Sequence, residues 1–287
     1  MIKFKDNLFN KIINRDLVEI FNSSIGSNKF KLNRKKILRF AKLIFGNKKK
    51  NYIFIKNIGL IKLPFFSFGN IKSYQLWDYE DLMLFGYYVH KKNYYDLIYD
   101  LGSNIGLHSI ILSKIGYPKI LSFEPDIKHF NRQKKNIEIN KCRNIEVFNK
   151  AVFNRNGIIN FNRIIGNTTS SHIENLKKKP YGKIEKVKVK CVNFLNILKP
   201  KKKILLKIDI EAAESNILRQ TKKKHWKYMD AFLEISDQDS SKKIFQHMKR
   251  NKVKIFSHKI GWRQVKKLVE MPNSYKEGMV FISLKSI

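Results

Sequence analysis

Hydrophobic and polar positions follow two periods along this chain, and the switch between them is sharpest at residues 94–115. An apolar, aromatic-rich run through Tyr94, Tyr95, Leu97, Ile98 and Tyr99 has the length of a short buried strand and ends on Asp100. Gly102 and Gly106 then bracket a turn. From Ile105 the apolar residues recur at helical spacing, through Ile110 and Ile111, until Gly116 offers a stop. The cycle repeats downstream. Residues 120–123 read as a second strand ending on Glu124, and Pro125 with Asp126 opens a helix over 127–140. Residues 145–148 read as a third strand leading to Asn149, Lys150 and Ala151. Residues 204–210 and 231–235 read as two more buried strands. Residues 211–214 are expected to open a helix, and another helix passes through 244–248. Residues 253–256 and 279–284 finish the sheet as an antiparallel pair. Strands alternating with helices predict an α/β fold with a mostly parallel, doubly wound sheet.

Two regions break this rhythm. Residues 157–162 and 187–192 alternate residue by residue as half-exposed strands around a polar segment, 166–172, which reads as an insertion near the site mouth. Upstream, residues 52–55 and 60–63 read as a hairpin that Pro64 ends. Residues 73–89 carry a helical pattern containing Asp78, Glu80 and Asp81. There Tyr74, Trp77 and Glu80 would suit a cation or a sugar, but core or lid packing explains them more simply. The first 50 residues read as short helical pieces with a dense basic face, packed on the main domain or lying on a membrane surface. The expected division is a basic N-terminal helical and hairpin extension, 1–75, and a Rossmann-like domain, 76–287.

Composition narrows the function classes. With 287 residues, 43% of them hydrophobic, the chain can bury one large core. It has no apolar run of about eighteen residues, so no membrane-spanning helix is expected. No secretory core follows the first residues. Two cysteines, Cys142 and Cys191, are too few for a disulfide framework or a cysteine-rich metal site, which points to a reducing, cytoplasmic setting. The formal net charge is +36. Lysine triplets at 48–50, 177–179, 201–203 and 222–224 fall in separate loops and form no single stripe with interleaved aromatics. Nucleic acid is therefore not the expected partner, while a weak contact with an anionic membrane surface stays open.

The candidate chemistry lies at the strand ends. Asp100, Glu124 and Asp209 end three parallel strands, and Glu234 lies near the end of a fourth, at the edge where open α/β sheets bind ligands. Glu124 follows Gly102 by 22 residues, close to where an acid reads ribose hydroxyls in such folds. Asn104 stands where a pyrophosphate-binding turn wants its second glycine, and its side chain obstructs phosphate approach. S-adenosylmethionine carries no phosphate, and its sulfonium and ammonium groups suit an acidic rim. Methyl transfer is therefore favoured over dinucleotide chemistry. Asp209, Glu211, Glu214 and Glu234 are candidate general bases, with Asp209 first because it ends the central strand. Glu211 and Glu214 are equally explained as acids at the positive end of a helix. His108 and His172 are further candidates, and no metal-ligand spacing is present, so no metal is expected.

The residues also resemble a family. The segments 100–106 (Asp100 to Gly106), 123–125, 149–151, 206–214 and 233–235 together are similar to the FkbM family of S-adenosylmethionine-dependent methyltransferases, over roughly residues 80–235. The block from Lys207 to Glu214 is the specific part. The resemblance implies a class I methyltransferase sheet and O-methylation of a sugar, glycolipid or other small-molecule hydroxyl. It also implies that Gly102, Asn104 and Gly106 shape the methionine end of the cofactor pocket and that Asp100 meets its amino group. Glu124 would hold the ribose, and Asn149 to Ala151 would border the adenine. Asp209, Glu211 and Glu234 would face the acceptor, whose remaining contacts are expected from the N-terminal segment and residues 170–179. Ala212 replaces the glycine usual in this block, and Asn193 stands where aspartate is common. Two alternatives remain: an RNA-directed methyltransferase using its basic surface, and a catalytically inactive binding relative.

Overall fold

The apolar runs at residues 97–101, 120–123 and 145–148 lie together on one sheet, while the hairpin forms its own. The computed structural model describes residues 7–21, 24–46, 51–177, 182–199 and 201–287. The lysines at 48–50 and 178–179 lie outside the described residues. The chain opens with helices α1 (Leu8–Ile13), α2 (Leu17–Phe21) and α3 (Asn28–Phe45), followed by a hairpin of β1 (Tyr52–Ile55) and β2 (Gly59–Lys62). Helix α4 (Tyr79–His90) leads into the alternating part: β3 (Leu97–Leu101), α5 (Leu107–Ile115), β4 (Ile120–Phe123), α6 (Ile127–Ile139) and β5 (Ile145–Phe148). The interruption contains β6 (Ala151–Phe153), β7 (Gly157–Ile165), β8 (His172–Ile173), β9 (Lys183–Asn193) and the single turn α7 (Phe194–Ile197). Then come β10 (Ile204–Ile208), α8 (Glu214–Leu218), β11 (Met229–Glu234), α9 (Gln238–Arg250), β12 (Lys254–Ser257), β13 (Arg263–Gln264) and β14 (Met279–Ser283).

The large sheet has the order β13-β12-β14-β11-β10-β3-β4-β5. Strands β5, β4, β3, β10 and β11 run parallel, and β14 inserts antiparallel between β11 and β12. Because β3 connects outward to β4 and β10 outward to β11, the order reverses between β3 and β10, and the crevice beyond their carboxyl ends is where such sheets take ligands. The register sets Asp100 beside Lys207 on these two strands.

Alternation along β3 and its neighbours sends side chains to two cores. Ile98, Leu205, Phe232 and Phe281 meet α4, α5 and the N-terminal helices on one face, while Tyr99, Leu206, Leu233 and Ile282 meet the apolar residues of α8 and α9 on the other. The N-terminal helices therefore cover the sheet and share its core. Helix α3 turns Phe30, Ile37, Ala41 and Phe45 inward. Trp77 is sandwiched between Phe45 and Phe9, with ring centroids at 4.8 and 5.0 Å, and is fully buried. Removing such a side chain costs about 3–5 kcal/mol, so Trp77 belongs to the fold and does not face a ligand.

Three local expectations change. The helix read over 73–89 is a 3₁₀ turn at Ser73–Leu76 followed by α4, because Asp78 caps the new helix by accepting the Tyr79 N–H and Asp81 accepts the Asp78 N–H in return. The helix expected from 211 begins only at Glu214, because Glu211 and Ala212 take left-handed backbone angles, φ +52° and +79°. Glu211 therefore has no role at a helix N-terminus. Strands β7 and β9 are longer than their alternation suggested and form a separate four-stranded sheet, order β6-β9-β7-β8. That sheet is tied to α6 by Arg163, 5% exposed, whose guanidinium donates to the Asp126 carboxylate at 2.6 and 3.0 Å.

Candidate functional site

The turn after β3 is supported from below. Asp100 is fully buried and accepts a hydrogen bond from Ser109 on α5 at 2.6 Å; the Ser109 and Ser122 hydroxyls lie 2.9 Å apart. Gln133 on α6 donates to Ser103 at 2.9 Å and also to Ser122. This chain of buried polar groups holds the turn's backbone where its own residues cannot. Gly102 has φ +77°, and a Cβ there would stand 1.7 Å from the Asp209 carbonyl oxygen. Glycine is required at that contact. Gly106, φ +83°, ends the turn and starts α5, and a Cβ would press on the Gln133 side chain at 2.8 Å. Between them Asn104 also takes a left-handed angle, φ +52°, which asparagine tolerates better than most residues.

Glu124 lies across from this turn. Its carboxylate accepts the Asn104 and Asp126 backbone N–H groups, each at 2.8 Å, one on each oxygen. An ionised carboxylate offers about four lone-pair sites, so each oxygen keeps capacity for a hydroxyl. Burial pushes Glu124 up to about 8, although the two N–H groups favour its charged form. A narrow cavity runs along this carboxylate, lined by Gly102, Asn104, Glu124, His129, Lys150, Ala151, Thr168 and Asp209 among others. His129 bonds Thr168 at 2.9 Å, and burial draws its pKa down to about 4, so it stays neutral. Asp100, Gly106 and Asn149 do not line this cavity. Asn149 donates to the Glu124 and Pro125 carbonyls at 2.9 Å each and thereby fixes the loop that carries Glu124.

The other half of the site follows β10. Lys207 approaches Asp209 at 3.2 Å and Asp100 at 3.9 Å. Burial disfavours its ammonium, but those carboxylates outweigh it and hold its pKa up. Lys177, from the insertion, pairs with Glu211, and burial still raises Glu211 to about 7. Glu214 accepts from the Ile210 N–H at 3.1 Å and from Ser236 at 3.0 Å, and burial raises it to about 7. Glu234 ends β11 beside them. Burial, followed by the charges of Asp209 and Glu211, holds it well above the usual carboxylate range. These acids line a broad groove with Ile71, Leu76 and Tyr275, and that groove shares Asn104, Thr169, Asp209 and Glu211 with the narrow cavity.

The two histidines stand elsewhere. His108 lies between the Tyr88 hydroxyl at 3.1 Å and Asp81 at 3.0 Å. His172, at first sight part of a solvated loop, is buried and bonded to the Ser170 carbonyl at 3.0 Å. Neither lines the cavity or the groove. Among the described residues, no group of His, Cys, Asp and Glu is arranged to hold a metal ion. Sequence reasoning gave no role to Lys207, although a lysine inside the run from Ile204 to Ile208 is the visible signal. Thr168 and Lys177 fall within the segments expected near the site, 166–172 and 170–179, without a signal of their own.

The model of the methyltransferase FkbM domain matches residues 100–254. The chain belongs to the FkbM methyltransferase family. The matched segment holds the glycine turn, Glu124, the Asp209 block and Glu234, so both halves of the site lie inside the family's domain. A search of curated protein sequences gave no match. Among solved structures, the chain is similar to the N-terminal domain of human METTL16 in complex with SAH, at 12% identity and TM-score 0.41, over 91% of this chain and 98% of that one. It is also similar to a ribosomal protein L11 methylase from Lactobacillus delbrueckii subsp. bulgaricus, at 11% identity and TM-score 0.38, over 71% and 78% of the two chains. A third is a precorrin-6y C5,15-methyltransferase from Geobacter metallireducens, at 12% identity and TM-score 0.36, over 69% and 85%.

Proposed function

We propose that this FkbM-family chain transfers a methyl group from S-adenosylmethionine to a hydroxyl of a saccharide, glycolipid or other small acceptor. The observation that carries the reading is the junction of two spaces: a narrow cavity along Glu124 opens at Asp209 and Glu211 into a broad groove lined with acids. The cavity suits the cofactor chemically. Gly102 lines it without a side chain, Glu124 retains lone pairs for ribose hydroxyls, and Asn104 in place of a second glycine disfavours a pyrophosphate. In this reading Gly102, Asn104 and Gly106 shape the methionine end, with Asp100 acting on it from behind. Ala151 and Lys150 border the adenine.

When bound, S-adenosylmethionine supplies a methyl group already made electrophilic by its sulfonium. The chain's own tasks are to align the acceptor oxygen, exclude water and take up the hydroxyl proton. Among the described residues, six carboxylates line the groove. Glu214 is held by the Ile210 N–H and Ser236, Asp237 accepts the Ser240 N–H, and Lys243 pairs with Asp239. Lys207 pairs with Asp209 and Lys177 with Glu211. Glu234 is left as the uncompensated acid, with its proton affinity raised by burial and by those same neighbours. It is therefore the proton acceptor in this scheme, and Asp209 orients the acceptor hydroxyl.

Titration calorimetry with S-adenosylhomocysteine tests the cofactor, and transfer of labelled methyl to saccharides tests the acceptor. Failure to bind at millimolar ligand, with NAD binding in its place, would overturn the reading.

A further inference from the structure

Helix α3 is amphipathic in an unusual way: its outward face is both strongly cationic and partly apolar. Its buried side is formed by Phe30, Ile37, Ala41 and Phe45. Leu32 and Leu43 point the other way, 53% and 67% exposed. Eleven residues separate them, three turns of helix, so they share one face about 16 Å apart along the axis. Between them stand Lys35, Lys36, Arg39 and Lys42, all exposed, and α3 contains no Asp or Glu. Arg34 alone turns aside, to a forked ion pair with Asp78 at 2.6–3.0 Å.

Single exposed leucines are ordinary on protein surfaces, but here two share one helix face with four cations. The two kinds of side chain make sense together at the surface of an anionic bilayer, where cations meet lipid phosphates and apolar side chains enter the headgroup boundary. A single-stranded nucleic acid would instead call for stacking rings beside the cations. On α3 the rings of Phe30 and Phe45 face inward, and Tyr74, which borders this face, is half-buried.

Position adds a second argument. The 3₁₀ turn Ser73–Leu76 forms a wall of two depressions. Tyr74 and Gln75 border the basic face of α3, and Leu76 borders the acidic groove. Asp78, held by Arg34, caps the helix whose first turn carries Glu80 and Asp81. The basic face therefore lies one short turn away from the groove.

We infer that α3 docks the protein on an anionic lipid surface through Lys35, Lys36, Arg39 and Lys42, with Leu32 and Leu43 entering the headgroup layer. This docking stands independently of the acceptor's identity and of methyl transfer itself. It needs no spanning segment, and among the described residues no helix is long and apolar enough to be one.

Flotation of the full chain with phosphatidylcholine vesicles, with and without phosphatidylglycerol as about a third of the lipid, tests it. Binding is expected only to the anionic vesicles. The pair Lys35→Glu and Arg39→Glu should weaken it at least about tenfold. The pair Leu32→Ser and Leu43→Ser, which leaves the charge unchanged, should also weaken it by about tenfold. The control pair Lys222→Glu and Lys224→Glu changes charge equally, at exposed positions just before the amino end of β11, and should cost less than about twofold. Circular dichroism melts verify that each variant is folded, and Leu43→Ser alone replaces the leucine pair if that pair is not. No binding to anionic vesicles overturns the inference, as does equal loss in the control pair or no loss in the leucine pair. Preferential binding to single-stranded RNA that survives the leucine substitutions would assign the face to nucleic acid instead.

Discussion

Two turns stand side by side at the switch point of the sheet, and they solve one backbone problem with different residues. The turn after β3 reaches left-handed angles at Gly102, Asn104 and Gly106; the turn after β10 reaches them at Glu211 and Ala212. They are in direct contact. The Asp209 N–H donates to the Leu101 carbonyl at 3.0 Å, and the Asp209 carbonyl occupies the space a Gly102 side chain would need. The first turn carries glycine at both ends and is held by a buried polar network beneath it. The second carries charged side chains and is held by lysines. The first turn drops a side chain where the second turn's backbone presses on it, and the second supplies carboxylates to the groove.

The largest expected effect belongs to the charged turn's neighbour. Glu234→Gln should lower kcat by about 10²–10⁴-fold while leaving the affinity for S-adenosylhomocysteine within about twofold. Because the acid must lose its proton to act, and its pKa lies above the ordinary carboxylate range, the wild-type rate should rise with pH as Glu234 ionises. A glutamine variant that keeps both the rate and the pH dependence would remove Glu234 from the mechanism. Next comes the glycine turn. Gly102→Ala forces a Cβ against a backbone oxygen that cannot move independently, so affinity for S-adenosylhomocysteine should fall by at least about 100-fold. If calorimetry shows near-normal affinity, the two turns are less tightly registered than their contact implies.

Glu124 faces the first turn but shares the raised proton affinity of the acids beside the second. Its proton affinity is raised to about 8, so between the ordinary value of 4.5 and about 8 the folded chain holds a proton that the unfolded chain has lost. Stability contributed by this group therefore declines as pH rises through that window. Ribose hydroxyls donating to the carboxylate favour its charged form, so binding should release a proton below about pH 8 and tighten as pH rises towards it. Glu124→Gln should weaken binding by roughly tenfold, keep the loop folded and abolish the release. Calorimetry in buffers of different ionisation enthalpy reads the proton directly. Release that persists in the glutamine variant must come from another group.

The same contrast explains what the sequence disclosed. The first turn is spelled by its glycines, since a left-handed, side-chain-free backbone leaves few other residues possible. Strand ends were legible because buried β-strands are apolar and Asp100 and Glu124 are not. The second turn hides its conformation: Glu211 and Ala212 are good helix formers, so local propensity extended α8 backwards over them. Tertiary contacts decide otherwise, because Glu214 folds back on the Ile210 N–H and Lys177 holds Glu211 from an insertion thirty-four residues away. Long-range partners of that kind leave no local pattern. The buried course of His172 and the separate sheet of the insertion are hidden for the same reason, whereas Lys207 is legible as a lysine inside an apolar strand.

The smallest expected effect tests the comparison most directly. Ala212 is 4% exposed at φ +79°, where an L-residue carries roughly 1–2 kcal/mol of strain. Ala212→Gly relieves that strain, but the unfolded chain gains about 0.4–1 kcal/mol of conformational freedom and a buried methyl, worth up to about 0.8 kcal/mol, is lost. These terms nearly cancel. The net should favour glycine by less than about 1 kcal/mol, a rise in Tm of less than about 2 °C, with affinity for S-adenosylhomocysteine unchanged. A fall in Tm would mean that the methyl's packing in the second turn outweighs its backbone strain. The two turns would then differ in more than charge: the first keeps its angle by omitting a side chain, and the second by burying one.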